Sequence, residues 1–377
     1  MTYPAKRDGK TLKSLSDLAR AGLIEAAEID PLNPAAEEFP VVIPPGLQAR
    51  LTAEPPTGPL RRQFIPSPDE TVTDMGESPD PIGDQAFSPV KGIIHRYPDR
   101  VLLTPLTLCP VHCRYCFRRD TVGTSHETDD LPALSSEEMK SALAYIRNNK
   151  SIWEVILSGG DPMMLSPRRL GDILAALAAI PHVSIVRIHT RIPVVAPERF
   201  TAETIKTLGN QALPPLYMVL HLNHAHELTG ETIDICRRLS AAGIVLLGQT
   251  VLLKGVNDDA DTLADLFRRM VKNRIKPYYL HHCDMARGTG HFRTTIAEGQ
   301  NLMRALRGRL SGLCQPTYVL DIPGGHGKAP LTPGYLHQTG EDESLLVEDY
   351  QGGFHAYPPL GPPLGPPLGP PPEPPTP

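Results

Sequence analysis

The chain has no apolar run long enough to cross a bilayer: ILAALAAI, at 173–180, falls far short of the roughly 20 residues a spanning helix needs. Its first residues, MTYPAKRDGK, lack the apolar segment of a secretory leader. Basic charge is not in excess, with 37 Lys and Arg against 42 Asp and Glu and a formal net charge of −5, so no positive field is available to hold nucleic acid. Six cysteines in 377 residues, three of them crowded between 109 and 116, do not make a disulfide framework. Together these absences predict a soluble cytoplasmic enzyme with neither a membrane nor a nucleic-acid partner. In a reducing compartment, crowded cysteines point to a metal or redox role.

Proline, by contrast, is abundant, with 42 residues concentrated toward the two ends. From Pro358 the chain reads PPLGPPLGPPLGPPPEPPTP, which lacks the glycine at every third position that collagen requires. A disordered, polyproline II-like tail over 358–377 is expected. Residues 29–90 are rich in Pro, Asp and Glu and follow one expected helix within LKSLSDLARAGLIEAAEI, so 1–90 reads as a helical and extended N-terminal arm.

Between 91 and 330 short apolar runs alternate with amphipathic segments. Strands are expected at 101–108, 153–160, 183–190, 216–223, 243–253, 277–284 and 317–321, with a short extension over 331–357 after the last. Helices are expected between them, the first opened by the capping-box pattern Ser135-x-x-Glu138. Strand followed by helix, repeated, implies parallel strands with right-handed crossovers, and hence an α/β fold that is either a doubly wound sheet or a full or partial barrel. The distinctive polar residues all lie after strand ends: the three cysteines, Gly159-Gly160-Asp161, His221 and Asn223, Asp284, and Asp321. In a barrel those positions converge on the C-terminal mouth, where such folds carry chemistry.

Cys109, Cys113 and Cys116 are spaced C-x3-C-x2-C, short enough to wrap one compact inorganic unit, and thiolates suit zinc or iron–sulfur. A structural zinc calls for a fourth protein ligand, whereas Cys236, Cys283 and Cys314 are isolated and read as buried free thiols. A cubane cluster held by three ligands keeps one iron open. Farther on, DIPGGHGKAP places Lys328 just after a glycine-rich turn expected to let the backbone approach a ligand, and a lysine there can form a Schiff base with an aldehyde cofactor.

The cysteine motif after the first strand resembles the radical S-adenosylmethionine (SAM) superfamily, and the ordered set HRYPDRVLL, CRYCFRR, VILSGGD, IVRIHTRIPVV, LLKGVND, PYYLHHCD, HFRT and PGGHGKAP resembles the lysine 2,3-aminomutase family. The resemblance implies a partial (β/α) barrel carrying a 4Fe-4S cluster on Cys109, Cys113 and Cys116, with SAM chelating the open iron. Around SAM it places Gly159, Gly160, Asp161, His221 and Gln249. It implies pyridoxal phosphate (PLP) on Lys328, with Arg96 and Arg100 at the phosphate. Arg118 would take the substrate carboxylate, and Asp284 and Asp321 would grip the ε-ammonium of lysine. The implied reaction is an isomerisation: a deoxyadenosyl radical removes a hydrogen from the β carbon and the nitrogen moves from C2 to C3, giving β-lysine. An electron donor such as flavodoxin or ferredoxin is the implied partner.

Departures from the family pattern matter too. No cysteine follows Cys314, and the family's partner cysteine near GVNDDAD is Asp259 here, so no structural zinc is expected and zinc-supported association into a homo-oligomer is in doubt. YYLHHCD is closer to the subgroup that prepares β-lysine for translation elongation factor P. Arginine as substrate, and an iron–sulfur or zinc scaffold displaying the Pro-rich tail, are the remaining alternatives.

Overall fold

The structure, a computed structural model, describes residues 9–122, 133–338 and 345–358. Nine strands form one sheet in chain order: β1 (Ile93–Tyr97), β2 (Arg100–Leu106), β3 (Glu154–Gly159), β4 (Ile185–Thr190), β5 (Leu216–His221), β6 (Val245–Val251), β7 (Ile275–His281), β8 (Thr317–Asp321) and β9 (Lys328–Pro330). Pairs from β2 to β8 are parallel, and the two outermost pairs are antiparallel. Strand order that never reverses rules out the doubly wound sheet, which folds back at a switch point. Because β1 and β9 are the two ends of the strand order and do not pair with each other, the curled sheet is a partial barrel, as the sequence led one to expect.

Alternation along the strands determines which side chains face inward. On β4, Val186 and Ile188 are buried under helices while Arg187 and His189 line the concave side. The same period places Glu154, Ile156 and Ser158, then Val219 and His221, Gln249 and Val251, and Tyr279 and His281 on that concave side. Most of the crossover helices match their expected positions. Ser136–Asn148 starts at the anticipated capping box, with the Ser135 hydroxyl accepting from Glu138 N (3.2 Å) and Glu138 Oε2 accepting from Ser135 N (2.7 Å). Asp259 caps Ala260–Lys272 by accepting from the N–H groups of Asp261 (3.0 Å) and Thr262 (2.9 Å).

Two elements differ from expectation. β7 begins at Ile275 rather than Pro277, and it tolerates the proline because the register slips there: Gly248 faces Pro277 but Gln249 faces Tyr279. The segment after residue 29 is not extended. It forms helices Ile29–Glu38, Pro45–Thr52 and Pro59–Phe64, two of them opened by proline, whose missing N–H is harmless in a first helical turn. Ile43, Leu47, Leu51 and Phe64 of this segment, with Leu18 and Leu23 ahead of it, are buried in the same apolar cluster as the barrel strands.

Residues 9–332 belong to one compact unit and those from 333 to another. The second contains a three-stranded antiparallel sheet of β10 (Leu336–Gln338), β11 (Leu345–Glu348) and β12 (Phe354–Tyr357). The Pro-rich tail beyond Pro358 lies outside the described residues. Among the described residues no helix is long and apolar enough to cross a membrane.

Candidate active site

The concave side of the sheet borders a cavity of about 610 Å3 whose lining runs from Arg100 and Glu154 at the starts of β2 and β3 to residues beyond the C-terminal ends of the strands. It is lined by every residue given a binding role from the sequence: Cys109, Cys113 and Cys116; Gly159, Gly160 and Asp161; His221 and Gln249; Arg96, Arg100 and Arg118; Asp284, Asp321 and Lys328. Asn223, also at a strand end, is instead buried against Gln63. Their separation along the chain is bridged by strand adjacency. His221 and Gln249 are register partners on β5 and β6, and Asp321 faces Lys328 across the β8–β9 hairpin.

The cysteine loop is wedged against the end of β3. Gly160 N–H donates to Leu106 O (2.8 Å) and Asp161 N–H to Leu108 O (3.0 Å). A Cβ on Gly160 would lie 2.4 Å from Leu108 O and 2.6 Å from the Thr107 carbonyl carbon, so glycine is required here by the backbone of the neighbouring loop. Gly160→Ala is expected to cost about 1–3 kcal/mol by overpacking and to lower the iron bound per chain, checked by unfolding and by iron analysis. Asp161 is fully engaged in the protein: its carboxylate accepts from Thr190 Oγ1 (2.8 Å) and from the N–H groups of Arg191 (2.7 Å), Met163 (3.0 Å) and Ile192 (3.2 Å). Burial raises its pKa to about 6 despite those donors. Its side chain thus ties β3 to the end of β4, leaving the backbone of the glycine pair to face the cavity.

Burial also pushes the cysteine thiols up, Cys109 well above its usual value and Cys116 to about 11. Buried together they resist ionisation, so three thiolates at this loop call for a positive centre. Among the described residues no three His, Cys, Asp or Glu side chains converge on one ion. A cluster that offers each thiolate its own iron is the unit this spread of sulfurs fits.

Behind the loop stand residues that the sequence reading missed. Glu70, from the arm, accepts from Arg114 (Nε, 2.9 Å; Nη2, 2.6 Å) and from Arg119, and all three side chains are buried. Arg119 lies over the Phe39 ring, 3.4 Å from its centroid. Asp84, also from the arm, accepts from Arg96 Nη2 (2.9 Å) and Arg118 Nη2 (2.7 Å), so one carboxylate links the two arginines assigned to separate anions. Arg100, expected beside Arg96, shares no partner with it: it pairs with Asp99 (2.6 Å) and covers the Tyr97 ring at 3.8 Å. The available signal was the demand for counter-charges from three arginines around Cys116, set against an arm rich in acidic residues.

Lys328 Nζ donates to Asp321, whose other oxygen lies 3.2 Å from His281 Nδ1. Those partners hold the Asp321 carboxyl at about 2 against the opposing effect of burial. Asp284 is the opposite case: burial, reinforced by the charge of Asp321, raises it to about 8. The two carboxylates read from sequence as equals are therefore unequal, one ionised and one protonated near neutrality. Among the described residues, Asp284 Oδ1, His189 Nε2 and His281 Nε2 are buried without a hydrogen-bond partner, as expected of a cavity built to receive a polar ligand.

The glycine run before Lys328 corrects one expectation. It was read as a close approach to ligand, but a Cβ on Gly325 would meet the Phe87 ring at 2.2 Å, and one on Gly327 the Tyr97 hydroxyl at 2.9 Å. The glycines admit the arm, and the Tyr97 hydroxyl accepts from Lys328 N–H (2.8 Å). With Nζ in the cavity beside a carboxylate, and arginines nearby, these residues fit an aldehyde cofactor carrying a phosphate.

Residues 103–267 match the radical SAM superfamily and residues 303–361 the lysine-2,3-aminomutase family. L-lysine 2,3-aminomutase of Clostridium subterminale is 40% identical over 80% of this chain and 71% of its own. The corresponding enzyme of Acetoanaerobium sticklandii is 37% identical over 87% of this chain and 79% of its own. Glutamate 2,3-aminomutase of Clostridioides difficile is 34% identical over 89% and 78%.

Proposed function

The chain belongs to the lysine 2,3-aminomutase family, and from that premise we propose that it moves the α-amino group of L-lysine to C3, giving β-lysine. The observation that carries the choice of lysine is the pair Asp284 and Asp321 on one cavity wall, with Asp284 Oδ1 unpartnered. Two buried carboxylates at the distal end of a substrate call for a cation and would repel the second carboxylate of glutamate.

When bound, the cluster with SAM supplies a radical that removes hydrogen from carbon, and PLP supplies a conjugated ring that carries the migrating nitrogen. Cys109, Cys113 and Cys116 are the residues that would hold the cluster, the β3 glycine turn with His221 and Gln249 would seat SAM, and Lys328 would hold PLP. Arg118 would bind the substrate carboxylate in exchange for Asp84. Asp321 would receive the ε-ammonium once Lys328 is engaged elsewhere. The chain's own part is therefore to fix both ends of the substrate and to hold the reacting centre inside the barrel, where positioning decides the rate. A flavodoxin or ferredoxin would supply the electron.

The test is an anaerobic assay of the reconstituted protein with SAM, PLP, a strong reductant and L-lysine, following β-lysine by mass spectrometry. β-Lysine is expected from the intact chain and none above background from Lys328→Ala. Turnover of L-glutamate but not L-lysine would overturn the choice of substrate.

A further inference from the structure

Arg191 follows β4 and is buried, with no role so far in binding substrate or cofactor. Its Nη1 donates to Cys113 Sγ at 3.3 Å. Its Nη2 donates to Gln63 Oε1 (2.7 Å) and pairs with Glu227 Oε1. The guanidinium lies 4.7 Å from the centroid of the Phe64 ring, and its Nε–H is left without a partner among the described residues. Gln63 is itself anchored by Asn223 Nδ2 (3.0 Å), and the Glu227 carboxylate accepts from the N–H of His224 (2.9 Å). Elements of the arm, β4 and the loop after β5 thus fix one cation against one cysteine sulfur, whereas Cys109 and Cys116 accept from backbone N–H groups, those of Asp161 and Arg118.

We propose that Arg191 is a positioning residue that sets the reduction potential of the iron–sulfur cluster through its hydrogen bond to Cys113. The inference rests on Cys113 being a cluster ligand. Adding an electron makes the cluster more negative, and a buried guanidinium on a ligand sulfur stabilises that reduced state more than the oxidised one. Hydrogen bonds to the sulfurs and local charge are among the levers that move such potentials. Glu227 opposes the effect by neutralising part of the cation, so the pair forms a built-in balance. Removing either member must shift the potential, and in opposite directions.

The test is a redox titration of the reconstituted full chain without SAM, with the reduced cluster followed by its electron paramagnetic resonance signal and iron measured per chain. Arg191→Gln is expected to move the midpoint to a more negative value, Glu227→Gln to a more positive one, and Arg191→Lys to lie between Arg191→Gln and the parent. A purely structural role would change iron content without producing opposite shifts. Midpoints unchanged in both Gln variants at full iron loading would overturn the proposal. If Arg191→Gln binds no iron, Glu227→Gln decides alone, since a shift in the positive direction supports the balance and none, or a negative one, refutes it. Loss of Cys109, Cys113 and Cys116 together must abolish iron binding. Retained iron in that triple variant would instead overturn the assignment of the cluster ligands.

Discussion

Asp321→Asn is expected to lower kcat/KM for lysine by on the order of 10² to 10⁴, because removing one partner of a buried charge pair costs about 3–5 kcal/mol and each 1.36 kcal/mol is a factor of ten. The loss should be accompanied by a change in pH dependence. Asp284 is raised to about 8, first by burial and then by the charge of Asp321, while Asp321 is held at about 2. Near pH 7 the empty pair therefore carries about one negative charge. An ammonium placed between them favours the second ionisation, so lysine binding should release a proton. It follows that kcat/KM rises with pH through about 8 or higher, because that ratio reports groups of the free enzyme and Lys328, whose charge lowers Asp284, is there engaged with PLP. In Asp284→Asn the limb should vanish. In Asp321→Asn it should move to lower pH, since the neighbouring charge that raised Asp284 is gone. A flat profile between pH 6 and 9 in the parent enzyme would sink this account of the site. Calorimetry in buffers of different ionisation enthalpy counts the released proton directly.

Glu70→Ala is expected to be the most damaging single change to the fold. The Glu70 side chain is fully buried and serves two arginines, which are 1% and 0% exposed. Alanine leaves both guanidinium groups without a counter-charge in a dry interior, a loss of about 3–5 kcal/mol or more, against a total stability on the order of 5–15 kcal/mol. Because Arg114 and Arg119 flank Cys116 and hold the arm to the cysteine loop, iron content should fall with stability. Denaturant unfolding and iron analysis measure the two effects. Glu70→Gln, which keeps the shape and one acceptor, should fall between. The exposed pair Lys140–Glu137, with side chains 72% and 82% accessible, provides the contrast: Glu137→Ala should leave the midpoint of unfolding unchanged. A Glu70→Ala protein that unfolds like its parent would mean that the arm is held by apolar packing alone.

Much of this site was legible because its residues recur at strand ends. IVRIHT alternates apolar and polar residues, so Arg187 and His189 had to share a face once the segment was a strand. The spacing of Cys109, Cys113 and Cys116 lies within one loop, and the position of Lys328 after Asp321 follows from one hairpin. By contrast, Gln63, Glu70 and Asp84 were hidden in a segment whose prolines and acids read as extended chain. Proline's helix-starting use depends on position rather than abundance. Nothing local marks which of several acids will be buried against an arginine.

The sequence by itself determined the alternation of strand and helix, the parallel direction of the central strands, the three-thiol loop and the lysine, since each depends on periodicity or on spacing within a single turn or hairpin, whereas the order of the strands came from the tertiary structure. Only the tertiary structure decided that the arm closes the back of the cysteine loop, that Asp84 joins two anion-binding arginines, and that Asp284 and Asp321 differ in charge. Those properties arise from burial and from distances between segments tens to hundreds of residues apart. Desolvation and Coulomb energy depend on where the chain folds, not on where it is written.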